Sequence, residues 1–211
     1  MTPRFGIPPD DQALADAITR FAQAELAPHA HAVDEAALST VRYVPALAEL
    51  GVMGMNLPER WGGPGATPTA LVLSLAAIAQ ACTATASMIG AHYLATDSIL
   101  IGGGDALRER YLPDAASGTK LGAFALTEPR AGSNPADMAT RAVREGDHYH
   151  LSGTKHFISN AGEADFIVVY AKTDPEAGAR GMTAFLVEKG YKGFSVAQKL
   201  DKLGMRGSHT G

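Results

Sequence analysis

Cysteine is nearly absent from this 211-residue chain. Cys82 stands alone, so no intrachain disulfide can form, and no Cys/His spacing resembles a zinc site. A basic excess is missing as well: 18 Lys and Arg stand against 22 Asp and Glu, a net charge of -4, so the composition offers nucleic acid no electrostatic face. There is no GxGxxG, no Walker-type glycine loop and no GxSxG elbow; Gly102-Gly103-Gly104-Asp105 fits none of these and follows a helical pattern rather than a strand. The N-terminal stretch MTPRFGIPPDD lacks a basic region followed by an apolar run, so no secretory signal is read there and a cytoplasmic location is expected. Charge is absent from Trp61 through Thr96, yet Ser74, Gln80, Thr83, Thr85, Ser87, Gly90 and His92 interrupt that run. A helix buried on most sides within a bundle fits it better than a membrane span.

What is present suffices for a substantial core, with 46% hydrophobic and 19% charged residues. The first half reads as helices. Asp10 and Asp11 are placed to cap a helix through Leu14, Ile18, Phe21 and Leu26, limited by Pro28. A second helix is expected from Pro45 to Gly51, and a third from Thr69 to Ala81 behind a Thr67 cap and Pro68. Another is expected from Ser87 to Ile101, then a short one capped by Asp105 and ending at Leu112-Pro113.

The second half changes period. Gly146-Asp147 predicts a hairpin turn, and the segments 166–172, 182–189 and 193–199 predict strands. Helices followed by strands give an α+β class with units 1–119 and 120–211. The tetrapeptide Ser-Gly-Thr-Lys occurs at Ser117 and at Ser152, with nothing around the two copies in common, and reads as repeated turn chemistry.

Two stretches carry candidate chemistry. In FALTEPRAGSN, a predicted strand from Leu121 to Thr127 runs into Glu-Pro and a small-residue turn, presenting backbone N–H groups with the hydroxyls of Thr127 and Ser133. In TKHFISNAGEAD, Phe157 and Ser159 would share one face of a strand. Together they could hold a flat heterocycle, or they could be a turn and a packed strand end. His29 and His31 read as solvated, and His92 as a hydrogen-bonded core residue.

The segments ALTEPRAGSN, LSGTKHFISNAGEADFIVVYAKTDP, GMTAFLVEKGYKGFSV and KLGMRGSHT, in that order, resemble the acyl-CoA dehydrogenase family. LGVMGMNLPERWGG and ERYLPDAASGTKLGAFALTEP are similar to its helical half. The resemblance covers nearly the whole chain. It implies a helical N-terminal domain, an antiparallel β-barrel-like middle domain, and FAD. It implies that Phe124, Ala125, Leu126, Thr127 and Ser133 line the flavin, with the Leu126 and Thr127 N–H groups on its pyrimidine edge. Fixed donors there would stabilise the negative charge of the reduced ring. It further implies that Ser133 also meets the acyl-CoA, that Phe157 and Ile158 lie by the ring, and that Ser159 hydrogen-bonds N5. Phe124 stands where many members have Tyr, and Asn134-Pro135 replaces the common Asp-Val or Asp-Ala.

The reaction implied is α,β-desaturation of an acyl-CoA thioester, with an electron-transfer flavoprotein or similar acceptor and a homotetrameric assembly. The resemblance supplies the catalytic glutamate from a segment beyond Gly211, so no base is named in this chain; Glu128, followed by Pro129, reads as a structural turn residue. An acyl-CoA oxidase, a desulfinase or a flavin monooxygenase of the same fold, and a non-catalytic binding module, are the other readings.

Overall fold

The computed structural model describes residues 6–211. Helix α1 spans Pro9–Phe21, with Pro9 in the first turn, where a missing N–H costs nothing. Asp10 and Asp11 lie within that first turn and do not cap it. Asp11 is buried instead, and its carboxylate accepts the Thr67 hydroxyl at 2.6 Å. The helical path widens into a π turn over Ala22–Leu26, tightens over Ala27–His29 at Pro28, and resumes as α2, Ala30–Glu35. Helix α3 is Val44–Glu49.

Helix α4, Pro68–Ala81, begins as expected: the Thr67 hydroxyl accepts the Ala70 N–H at 3.1 Å. Helix α5, Thr83–Gly102, starts earlier than Ser87, because the extended backbone of Cys82 alone separates it from α4, and buried Ala84 and Thr85 already pack inward. Helix α6, Asp105–Ala116, follows a Gly104 cap and does not end at Pro113. Pro113 forgoes the bond its N–H would have made to the Glu109 carbonyl, yet the last turn continues, and Ser117 N–H reaches the Pro113 carbonyl at 3.0 Å. Among the described residues no helix is long and apolar enough to cross a membrane.

The strands are β1 (Gly122–Ala125), β2 (Arg141–Glu145), β3 (His148–Ser152), β4 (Phe166–Lys172) and β5 (Met182–Glu188). The predicted hairpin forms β2 and β3, with Gly146 at φ 65° in its turn. The β half forms one open sheet of mixed direction: β4 lies between parallel β1 and antiparallel β5, and the β2–β3 hairpin attaches at Arg141–Lys172. The segment 193–199 forms no strand. It is bounded by Gly193 at φ 90° and pairs with none of the strands.

Helices and sheet share a core. Phe166 and Val168 of β4 pack with Ala95, Ile99, Tyr111 and Leu112, and the Tyr111 and Phe166 rings sit 5.4 Å apart. Gly122 permits the approach: a Cβ there would fall 2.8 Å from both the Ala95 Cβ and the Phe166 ring. At the same junction the buried His92 Nδ1 accepts the Gly122 N–H at 2.9 Å. The histidine is thus hydrogen-bonded in the core, as the sequence suggested.

Candidate functional site

Strand β1 alternates. Ala123 and Ala125 face a small cluster with Ile158, Ala161, Ala164 and Ile167, while Phe124 points to the opposite face, its ring 5.3 Å from Tyr170. Pairing with β4 ends at Ala125, so Leu126 and Thr127 leave the sheet rather than extend the strand. A tight turn follows, in which Glu128 and Ala131 exchange both backbone hydrogen bonds at 2.9 and 3.1 Å around Pro129-Arg130.

Glu128 is the buried anchor of this turn. Its carboxylate accepts the Ala139 N–H at 2.6 Å, the Thr140 N–H at 3.1 Å and the Lys155 ammonium at 2.8 Å. Burial pushes its pKa up, but those donors outweigh burial and hold it below the usual carboxylate range. The structural role expected for Glu128 is therefore the observed one.

The second stretch lies against the first. Lys155 Nζ donates to the Leu126 carbonyl at 2.9 Å, and His156 N–H donates to the Thr127 carbonyl at 2.9 Å. The expected strand through Phe157 and Ser159 is absent, because Phe157 has φ 61° and Asn160 φ 66°, which breaks extended alternation. Phe157 is nonetheless presented outward, 62% exposed, with His156 stacked on it at 3.9 Å. A bulky residue in left-handed backbone with an exposed ring is strain of the kind that marks functional loops.

Asn160, which sequence reasoning passed over, holds this stretch in place. It is fully buried, and its amide donates to the Met88 carbonyl of α5 at 2.9 Å and to the Gly122 carbonyl of β1 at 3.1 Å. The end of the chain supplies the other support. Ile158 and Gly211 exchange hydrogen bonds at 2.8 and 3.0 Å, and Asn160 N–H reaches the His209 carbonyl at 2.9 Å. Gly207 lets that segment close on the helices, since a Cβ there would meet Val33 at 2.3 Å. Lys155 and Asn160 carry no local pattern; their partners lie tens of residues away in sequence, and only the fold brings them together.

Leu126, Thr127, Phe157, Ile158 and Ser159 are thus neighbours, and Ser133 stands exposed on the loop between Glu128 and Ala139. Among the described residues, the hydroxyls of Thr127, Ser133 and Ser159 and the N–H of Thr127 make no hydrogen bond within the chain. A cleft of about 610 Å³ lies elsewhere, lined in part by Arg110, Tyr111, Lys120, Asp165, Glu188 and Tyr191. In it Arg110 pairs with Glu188 at 2.7 Å and Lys120 with Asp114 at 2.9 Å.

Residues 8–119 match the model of the acyl-CoA dehydrogenase N-terminal domain, and residues 123–211 match that of the middle domain. The chain belongs to the acyl-CoA dehydrogenase family. The mitochondrial isovaleryl-CoA dehydrogenase of Pongo abelii is 41% identical over 210 residues, 97% of this chain and 50% of that protein. The structure of butyryl-CoA dehydrogenase from Megasphaera elsdenii superposes with a TM-score of 0.93 at 33% identity, covering 99% of this chain and 56% of that one. Glutaryl-CoA dehydrogenase from Mycobacterium smegmatis, solved in complex with FADH2, gives a TM-score of 0.90 at 32% identity, covering 97% and 52%. The chain spans about half the length of the acyl-CoA dehydrogenases it matches.

Proposed function

We propose that this chain forms the helical and middle-domain part, residues 1–119 and 120–211, of an FAD-dependent dehydrogenase that desaturates an acyl-CoA thioester between its α and β carbons. The observation that carries the reading is the junction of the two motif segments. There, among the described residues, Thr127 and Ser159 carry donors without a partner beside an exposed, strained Phe157, and Ser133 carries another on the loop between Glu128 and Ala139. A planar ring with acceptors along one edge fits that chemistry, so the residues present suit a flavin.

When bound, FAD would supply the two-electron acceptor, taking the β-hydride at N5 while a carboxylate from the family's later segment takes the α-proton. The chain's own share is to hold the ring. Leu126 and Thr127 offer N–H groups to the pyrimidine edge, where reduction places negative charge. Phe157 would cover the ring, Ser159 would face N5 and Ser133 would meet both cofactor and acyl-CoA; Ala125 and Ile158, buried together, would back the site from beneath, while Phe124 would border it from the opposite face of β1. Transfer of electrons to an electron-transfer flavoprotein or similar acceptor, assembly as a homotetramer and a cytoplasmic location go with this reading.

The test is the visible absorbance of the protein expressed from its complete reading frame, before and after anaerobic addition of an acyl-CoA panel. Bound flavin that bleaches with one member supports the dehydrogenase reading and names the acyl class. Flavin that bleaches and is then rapidly reoxidised by oxygen points to an oxidase of the same fold, and flavin that never bleaches points to a relative with other chemistry. A colourless protein that takes up no added FAD sinks the reading.

A further inference from the structure

The most deeply buried ion pair at the site, Lys155 with Glu128, contains neither a hydroxyl donor nor an aromatic ring, yet it touches the backbone that faces the proposed cofactor. The side chains are 10% and 4% exposed, and the pair is 2.8 Å apart. Lys155 also reaches the Leu126 carbonyl oxygen at 2.9 Å. In a planar trans peptide, the carbonyl of one residue and the N–H of the next point in opposite directions. The bond from Lys155 to Leu126 therefore turns the Thr127 N–H away from Lys155, and that N–H has no acceptor among the described residues. A cation on the carbonyl also polarises the peptide, which makes its N–H a stronger donor.

We propose that Lys155 is a positioning residue that aims and strengthens the Thr127 N–H as a donor to the flavin, and so raises the flavin's reduction potential. The inference rests on the flavin reading of this site. Its physical basis is separate: the donor matters most when the pyrimidine edge is negative, so a well-aimed N–H favours the reduced ring over the oxidised one. Glu128 has a second part in the arrangement. It holds Lys155 on the carbonyl and balances its charge, while its contacts to the Ala139 and Thr140 N–H groups fix the carboxylate in place.

The experiment is a spectroscopic redox titration of the FAD-loaded full-length protein and of Lys155→Met, with thermal melts of both. Lys155→Met should disfavour the reduced flavin about tenfold, a fall of about 30 mV for a two-electron couple, because the donor loses its aim and the Glu128 carboxylate is left unpaired. Adding Glu128→Gln to that variant should recover part of the fall by removing the stranded charge. If Lys155→Met does not fold, Lys155→Gln, which keeps a shorter donor without the charge, is titrated in its place and should fall in the same direction. A folded, FAD-bound variant with an unmoved potential overturns the inference while leaving the flavin reading intact. A full-length protein that takes up no FAD overturns both, through the flavin reading.

Discussion

Asn160 shows how one side chain can do two jobs. Its backbone sits in the left-handed region at φ 66°, which asparagine tolerates better than most residues, and its amide bonds α5 to β1. Substitution separates the roles. Asn160→Ala loses both hydrogen bonds and adds left-handed strain, whereas Asn160→Gly loses the same bonds without strain. Both should be destabilised by roughly 2 kcal/mol for two buried hydrogen bonds, and alanine should be worse than glycine by about 1 kcal/mol. Urea unfolding midpoints read the difference; equal midpoints would mean that the backbone relaxes and the positive φ carries no strain.

At the scale of elements, the contact of α5 with β1 depends on the protonation of His92. Because Nδ1 accepts the Gly122 N–H, the neutral ring carries its proton on Nε2, a buried atom without a hydrogen-bond partner. Burial lowers the His92 pKa from 6.5 to about 4. The unfolded chain therefore takes up a proton that the folded chain refuses between those values, and stability is lost as pH falls through that window. The shift corresponds to roughly 3 kcal/mol in total. His92→Asn places an acceptor oxygen near the Nδ1 position without a titrating ring. Its stability should lie below wild type at neutral pH and decline less than wild type between pH 6.5 and 4, where the carboxylates still titrate against it. Denaturant midpoints across that range decide it, and a wild-type protein with no such decline would show that the helix–strand contact survives a charged His92.

Across the whole molecule, β4 packs into the helices, so helices and sheet are expected to unfold together. Phe166 is fully buried among Ala95, Ile99, Tyr111 and Leu112. Phe166→Ala should cost about 3–5 kcal/mol and lower a single calorimetric transition. Two separate transitions, with only the later one shifted, would instead mean that residues 1–119 and 120–211 unfold independently.

The sequence by itself determined the helical first half and the five strands of the sheet, though not α2 or the irregular path of residues 193–199. The uncharged run from Trp61 to Thr96 reads as helix, although one face of it stays open with Val72 63% and Leu94 52% exposed, while the Thr67-Pro68 pair starts α4 and Gly146-Asp147 turns the hairpin. These signals are local, and local chemistry suffices to read them. It also placed the two motif segments as candidates, through runs of hydroxyl, aromatic and small residues. It misread the shape of the second, since nothing in Phe157 announces a positive φ. Only the tertiary structure decided that Lys155 would seat on the Leu126 carbonyl, that Asn160 would tie α5 to β1, and that the segment through Gly211 would brace Ile158. Each of these is a hydrogen bond between groups far apart in sequence, whose geometry is set by which helices and strands pack together, and no periodicity along the chain encodes it.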